Sequence, residues 1–315
     1  MHEKLAFVFE NIALCSNCNF WGSDAISRAL HELYSMVKLV GYSHLWIALG
    51  AMCSAMATLH AFTPASDWRG TQWGIASAIG LGTGALYTLQ RRIKWERMPD
   101  KIPADRREFI ARWSGLVMSG WSLAILVWLF IFREDFPKWI DELLTMWPLL
   151  LTLLILALGY ASNPFSNHSN GWRDLSRMKL PVIAITWGLA TVWIPAVLDG
   201  ENGWNTLLIA RSLAQSLFIA GLTIPFDVRD LNIDPASMKT IPQRFGNKRA
   251  LEVALALFAL SGGVFFFLGK AEAPLIALAC AVPWVIYGRS HRSEWLYSLV
   301  LDGCLIVQGF VIFFW

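Results

Sequence analysis

"IPFDVRDLNIDPASMKTIPQRFG", residues 224–246, joins two long apolar runs and sets Asp227, Asp230 and Asp234 at offsets of three and four. With helical spacing those positions, i, i+3 and i+7, share one face, immediately after Pro225, where the preceding membrane helix is expected to close. Neighbouring carboxylates about 6 Å apart repel by roughly 3 kcal/mol at an effective dielectric of 20, so the cluster calls for a cation. A hard divalent ion would serve, since Mg²⁺ usually takes one or two carboxylates, several waters and phosphate oxygens. A second reading is a solvated loop in which Arg229, Lys239 and Arg244 neutralise the acids. Ionisable groups at the end of a membrane helix that face the bundle favour the functional reading.

The rest of the chain supplies that membrane. Of 315 residues, 56% are hydrophobic, 16% are charged and 17 are tryptophan, and the mean hydropathy is +0.47. This is the composition of a polytopic membrane protein, and a net charge of +3 gives no argument for a nucleic-acid partner. Nine apolar runs are long enough to span, at about 38–62, 72–90, 109–132, 143–161, 179–198, 204–225, 249–268, 271–288 and 294–315. The expected fold is therefore an all-α bundle of about nine transmembrane helices over residues 38–315, preceded by a cytoplasmic or interfacial segment, 1–37. With the N-terminus inside, 21 of the 26 Lys and Arg fall on the inner side and 4 on the outer. That asymmetry predicts a cytoplasmic N-terminus and cytoplasmic Asp-bearing loops, in the inner membrane if the source is bacterial.

Within this frame the opening stretch resembles the second Asp-rich signature of the UbiA superfamily of intramembrane prenyltransferases, D-x-x-D-x-x-x-D followed by K-T and a P-x-R-x-G tail. Asp227, Asp230, Asp234, Lys239, Thr240, Pro242, Arg244 and Gly246 stand at matching positions. The family has nine spans with inside-facing even loops, so the resemblance covers about residues 38–315. It implies helices around a central cavity open to lipid, with Asp227, Asp230 and Asp234 as catalytic metal ligands for Mg²⁺. The implied substrates are a prenyl diphosphate and a hydrophobic, often aromatic, acceptor in the bilayer, and the implied reaction is allylic C–O ionisation followed by capture of the carbocation. Arg91, Lys179, Lys239, Arg244 and Arg229 would contact the diphosphate. "GWRDLSRMK" adds Arg173, Asp174 and Lys179 at the places of the family's R-D-x-x-x-x-K; Lys179 reads equally as a lysine snorkelling to the interface.

The family's first signature, N-D-x-x-D-x-x-x-D, falls where this chain has "GALYTLQRRIKWERMPDKIPADRR", with Tyr87, Gln90 and Arg91 in the places of Asn and Asp. Arg91 or Arg92 could meet the diphosphate directly there, because guanidinium grips phosphate bidentately. The same run serves equally as an anchor of positive charge on the inner side. The alternatives to an enzyme are a weakened or inactive relative that binds a prenyl lipid, and a small-solute transporter. The transporter fits less well, because its charges would lie near the midplane.

Three further features stand apart. Arg211 lies inside the sixth run, where a charge costs at least ~2.5 kcal/mol on insertion scales, so a partner is expected, and Asp302 in the ninth run is a candidate. Cys53, Cys280 and Cys304 lie in apolar runs, while Cys15 and Cys18 form a lone C-x-x-C, short of the four ligands of a structural zinc site. Prenyl length, acceptor identity and oligomeric state have no signature in these residues.

Overall fold

The computed structural model describes residues 39–97, 102, 104–161, 177–232, 234, 236–269, 272–288 and 296–314. The N-terminal segment 1–37, the Cys15/Cys18 pair, and Arg173 and Asp174 lie outside the described residues. Within them every regular element is helical: α1 Leu45–Phe62, α2 Gly70–Arg97, α3 Ala104–Ile131, α4 Phe136–Thr145 and α5 Trp147–Ala161. They are followed by α6 Lys179–Leu198, α7 Thr206–Arg229, α8 Ile241–Phe267, α9 Glu272–Tyr287 and α10 Leu296–Phe314. Both α6, at Leu189–Trp193, and α10, at Leu296–Leu301, contain π-helical stretches.

Six of these helices, α1, α3, α6, α7, α8 and α10, are long and apolar enough to cross a membrane, and α4 with α5 would make a seventh bent by 91°. The architecture is that of a multi-pass helical membrane bundle. The other two expected spans do form helices, but α2 is diluted by Gly, Thr and its closing "RRIKWER", and α9 has only 16 residues. The fourth span departs from the single rod expected at 143–161. Helix α4 ends at Thr145, and α5 restarts with Pro148 in its first turn, where proline's missing N–H costs nothing.

Helix ends follow local chemistry. Asn205 caps α7 by accepting the Leu207 N–H at 2.9 Å. At the start of α8 the Thr240 N–H donates to Gln243 Oε1 at 3.0 Å, and Pro242 sits in the first turn. Pro225 does not close α7, as the sequence suggested; the helix runs through it to Arg229. A proline removes one ladder bond, a loss that a helix flanked by α6 and α8 tolerates.

Packing runs in the order α3, α2, α1, α10, α9, α8, α7, α6, with α6 returning to α1. One apolar cluster gathers Phe218, Phe258, Tyr297 and Leu301 near the Asp227 end. A second gathers Leu59, Ile75, Trp193 and Val197 toward the opposite end. The outer face of α3 presents Leu116 at 66% exposure and Phe130 at 69%, side chains that only a hydrocarbon solvent makes inexpensive.

Helices α1 and α10 touch through glycine: a Cβ at Gly309 would run into the backbone of Cys53, whereas one at Gly115 in α3 meets nothing within 4 Å. Gly309→Ala is therefore expected to destabilise the bundle by about 1–3 kcal/mol, read as a lowered Tm in detergent, while Gly115→Ala leaves the Tm unchanged or slightly raised.

Candidate functional site

Three elements converge on the opening stretch. Asp227 belongs to the last turn of α7, Asp230 begins the 3-10 turn Asp230–Asn232, and Asp234 lies just beyond it. The expected common face is thus reached by a helix, a tighter turn and a bend rather than by one continuous helix. The Asp234 N–H donates to the Asp230 carbonyl at 2.8 Å. The Asp234 carbonyl in turn accepts from Gln243 Nε2 at 3.1 Å, tying the loop to the start of α8.

The cation at the centre of the triad is a side chain. Lys179, the first residue of α6, places its Nζ 2.8 Å from Asp227 Oδ1, 2.6 Å from Asp234 Oδ2 and 3.9 Å from Asp230 Oδ2. The side chains of Lys179, Asp227 and Asp234 are buried, 7%, 1% and 5% exposed, and that of Asp230 is 15% exposed. Asp230 is also gripped by Arg229, whose Nε and Nη2 donate to its two oxygens at 2.7 and 3.1 Å. The Arg229 guanidinium lies beside the Phe226 and Tyr297 rings, 5.2 and 5.0 Å from their centroids, with the two rings themselves 5.6 Å apart.

Against this network lies a cavity of about 190 Å³. Its charged lining comprises Arg91, Lys94, Arg106, Lys179, Arg229 and the acids Asp230, Asp234 and Asp302, five cations to three anions. Arg106 of α3 lies 5.1 Å from the Tyr42 ring, and its Nη2 donates to Ser298 Oγ at 3.4 Å. Deeper in, the lining turns apolar and aromatic through Trp46, Tyr87, Trp187, Leu222 and Leu305. Trp187 Nε1 donates to the Tyr87 hydroxyl at 3.2 Å and Trp46 Nε1 to the Leu299 carbonyl at 2.7 Å, which fixes the ring planes. The site is amphiphilic: a cationic mouth over an aromatic floor.

Of the residues singled out from sequence, Arg91, Lys179, Arg229, Asp230 and Asp234 line this cavity, and Asp227 stands behind Lys179. Lys239 and Arg244 do not; both are exposed, and Arg244 lies 4.8 Å from the Phe245 ring. The K-T-x-P-x-R tail has a local role in starting α8, and Gly246 adopts φ 77°, a conformation glycine takes without strain. Arg92 pairs with Glu96 at 3.1 Å on the exposed side of α2. Lys94 and Arg106 escaped the sequence reading, although Lys94 sits three residues from Arg91 on the same helical face. Asp302 lines this cavity and does not pair with Arg211.

Deleting the central ammonium strands buried acids. Lys179→Met is expected to cost about 3–5 kcal/mol, seen as a large fall in Tm, and adding Asp227→Asn to it should restore part of the loss. Equal Tm values for Lys179→Met and the unmodified protein would show that the cluster is solvated. No protein-family model matches this chain, and neither a curated protein nor a solved structure matches it.

Proposed function

We propose that the chain is an intramembrane prenyltransferase, with a diphosphate head held at the cationic mouth and an isoprenyl chain lying along the aromatic floor. The observation that carries this reading is the single cavity that joins five cationic side chains to Trp46, Tyr87 and Trp187 beneath the Asp-bearing loop. An anionic head with an apolar tail is the ligand class whose two halves meet both ends of such a lining. The resemblance of residues 227–246 to the prenyltransferase signature supports the same assignment. In this proposal the nine runs are nine spans, the Asp-bearing loop is cytoplasmic, and the acceptor is a hydrophobic molecule in the bilayer.

The chemistry asked of the protein is modest. Ionising an allylic C–O bond places negative charge on the departing diphosphate and positive charge on carbon. Arg91, Lys94, Arg106 and Arg229 would stabilise the first, acting in a site of reduced dielectric. The faces of Trp187 and Tyr87 would stabilise the second, and the apolar lining would keep water from capturing it.

Magnesium was expected on Asp227, Asp230 and Asp234. In the arrangement seen, oxygens of Asp227 and Asp234 face the Lys179 ammonium, and both oxygens of Asp230 accept from Arg229. Among the described residues no group of three or more His, Cys, Asp or Glu side chains is placed to hold a metal ion. The triad in this arrangement fits an ammonium better than a divalent ion, so no step is routed through one. The same observation favours a second reading, a protein that binds a prenyl diphosphate without turning it over.

One experiment separates these readings. Purified protein in nanodiscs is offered prenyl diphosphates of increasing length, with Mg²⁺ or with EDTA, and membrane extract as the source of acceptor. Saturable binding with release of diphosphate and a prenylated product is expected, and Arg91→Met should weaken binding tenfold or more. Binding without release selects the second reading, and absence of binding under both conditions overturns both. Turnover that survives EDTA and Asp230→Asn is expected where the cationic side chains alone hold the diphosphate; turnover lost in both returns the Asp triad to the role of a metal site.

A further inference from the structure

At the far end of the bundle from the Asp227 cluster, Arg211 is buried in α7 with only 8% of its surface exposed. It lies 16 residues before Asp227 on the same helix, which is about 24 Å at 1.5 Å per residue. Among the described residues its guanidinium makes neither an ion pair nor a hydrogen bond. Its Nε is a buried donor without an acceptor, and its guanidinium lies 5.9 Å from the Phe62 ring centroid. Leaving a guanidinium uncompensated within a membrane-spanning helix is among the most expensive arrangements a bundle can adopt.

Arg211 lines a separate cavity of about 20 Å³, shared with Ser54, Thr58, Gln215, Gln308 and Gly309. The polar groups there present donors. Gln215 and Gln308 exchange reciprocal hydrogen bonds at 3.2 and 2.9 Å, using both amide oxygens and leaving each NH₂ a second N–H. Ser54 Oγ is a buried hydroxyl with no partner. Thr58 Oγ1 is already directed to the Ser54 and Thr191 carbonyls, at 3.2 and 3.0 Å. A cavity of this volume admits one small ion or one water. A lipid phosphate with its ester carbons is too large. Water would fit but would leave the positive charge unbalanced.

We propose that this cavity is a binding site for a single halide-sized anion, chloride under ordinary salt, held by Arg211 with Ser54, Gln215 and Gln308. The ion supplies the negative charge that no carboxylate among the described residues brings to Arg211. It couples α1, α7 and α10 through one shared centre. The site is independent of the prenyl-diphosphate reading, since no group that lines it lines the larger cavity.

The test is thermal unfolding of the purified full chain in detergent, in sodium chloride, sodium bromide or sodium gluconate at matched ionic strength. The Tm is expected to rise saturably with chloride and bromide but not with gluconate, the behaviour of a ligand that binds the folded state alone. Arg211→Met should abolish the halide response. If that variant does not fold, Ser54→Ala and Gln308→Leu serve instead, each expected to raise the half-saturating chloride concentration about tenfold. Equal Tm in chloride and gluconate overturns the proposal and leaves a water-filled void. So does a halide response that survives in Arg211→Met, or an unchanged half-saturation in both alternative variants.

Discussion

The ammonium of Lys179, enclosed by Asp227 and Asp234 and within reach of Asp230, is the contact on which the Asp-bearing end of the bundle depends. It joins the first residue of α6 to the last turn of α7 and to the bend that leads into α8. Each carboxylate alone would be costly to bury, and three together would repel. One buried cation among them converts repulsion into a geometric constraint, because charges taken out of water tolerate little displacement. The position of the loop, and with it the mouth of the cavity, follows from that constraint. Gln243 and the start of α8 extend it by holding the Asp234 carbonyl.

How much of this was legible in the sequence depended on whether local chemistry determined the outcome. The Asp spacing, the polarity of the loop and the need for a cation could be read from residues 224–246 alone. The identity of the cation could not, since Lys179 is 48 positions away from Asp227 and a snorkelling lysine looks the same on paper. The long apolar runs announced a multi-pass membrane bundle, and six of the helices in them are long and apolar enough to span, with the fourth run broken into a bent pair. The bend between α4 and α5 and the passage of α7 through Pro225 were not legible, because flanking helices decide whether a proline ends a helix or is absorbed by it.

The cationic mouth shows the same division. The stretch around Arg91 to Arg112 is dense in positive charge, and from sequence it serves equally as an anchor at the membrane surface or as a binding surface. Which side chains turn inward is set by the packing of α2 and α3, which selects Arg91, Lys94 and Arg106 and leaves Arg92 outside with Glu96. Lys239 and Arg244 sit in a motif that reads as functional, yet they flank a helix start whose capping accounts for much of the pattern. Arg211 is the converse case. The sequence flagged its burial correctly but offered Asp302, which belongs to the other cavity.

Helix α3 carries Arg106 and Ile110 into the larger cavity, yet among the described helices it leans substantially on α2 alone. Trp128 Nε1, 3.0 Å from the Gly74 carbonyl, fastens it to that same helix, and Trp121 Nε1, 3.3 Å from the Ser43 carbonyl, pins it beside α1. The compartment therefore has unequal sides, closely packed where α1 meets α10 and α7 meets α6 and α8, and thin where α3 stands against lipid. On that side the wall between guest and hydrocarbon is one helix thick, held by the two tryptophan bonds and by Arg106 on Ser298, so a bulkier occupant would find its nearest boundary there.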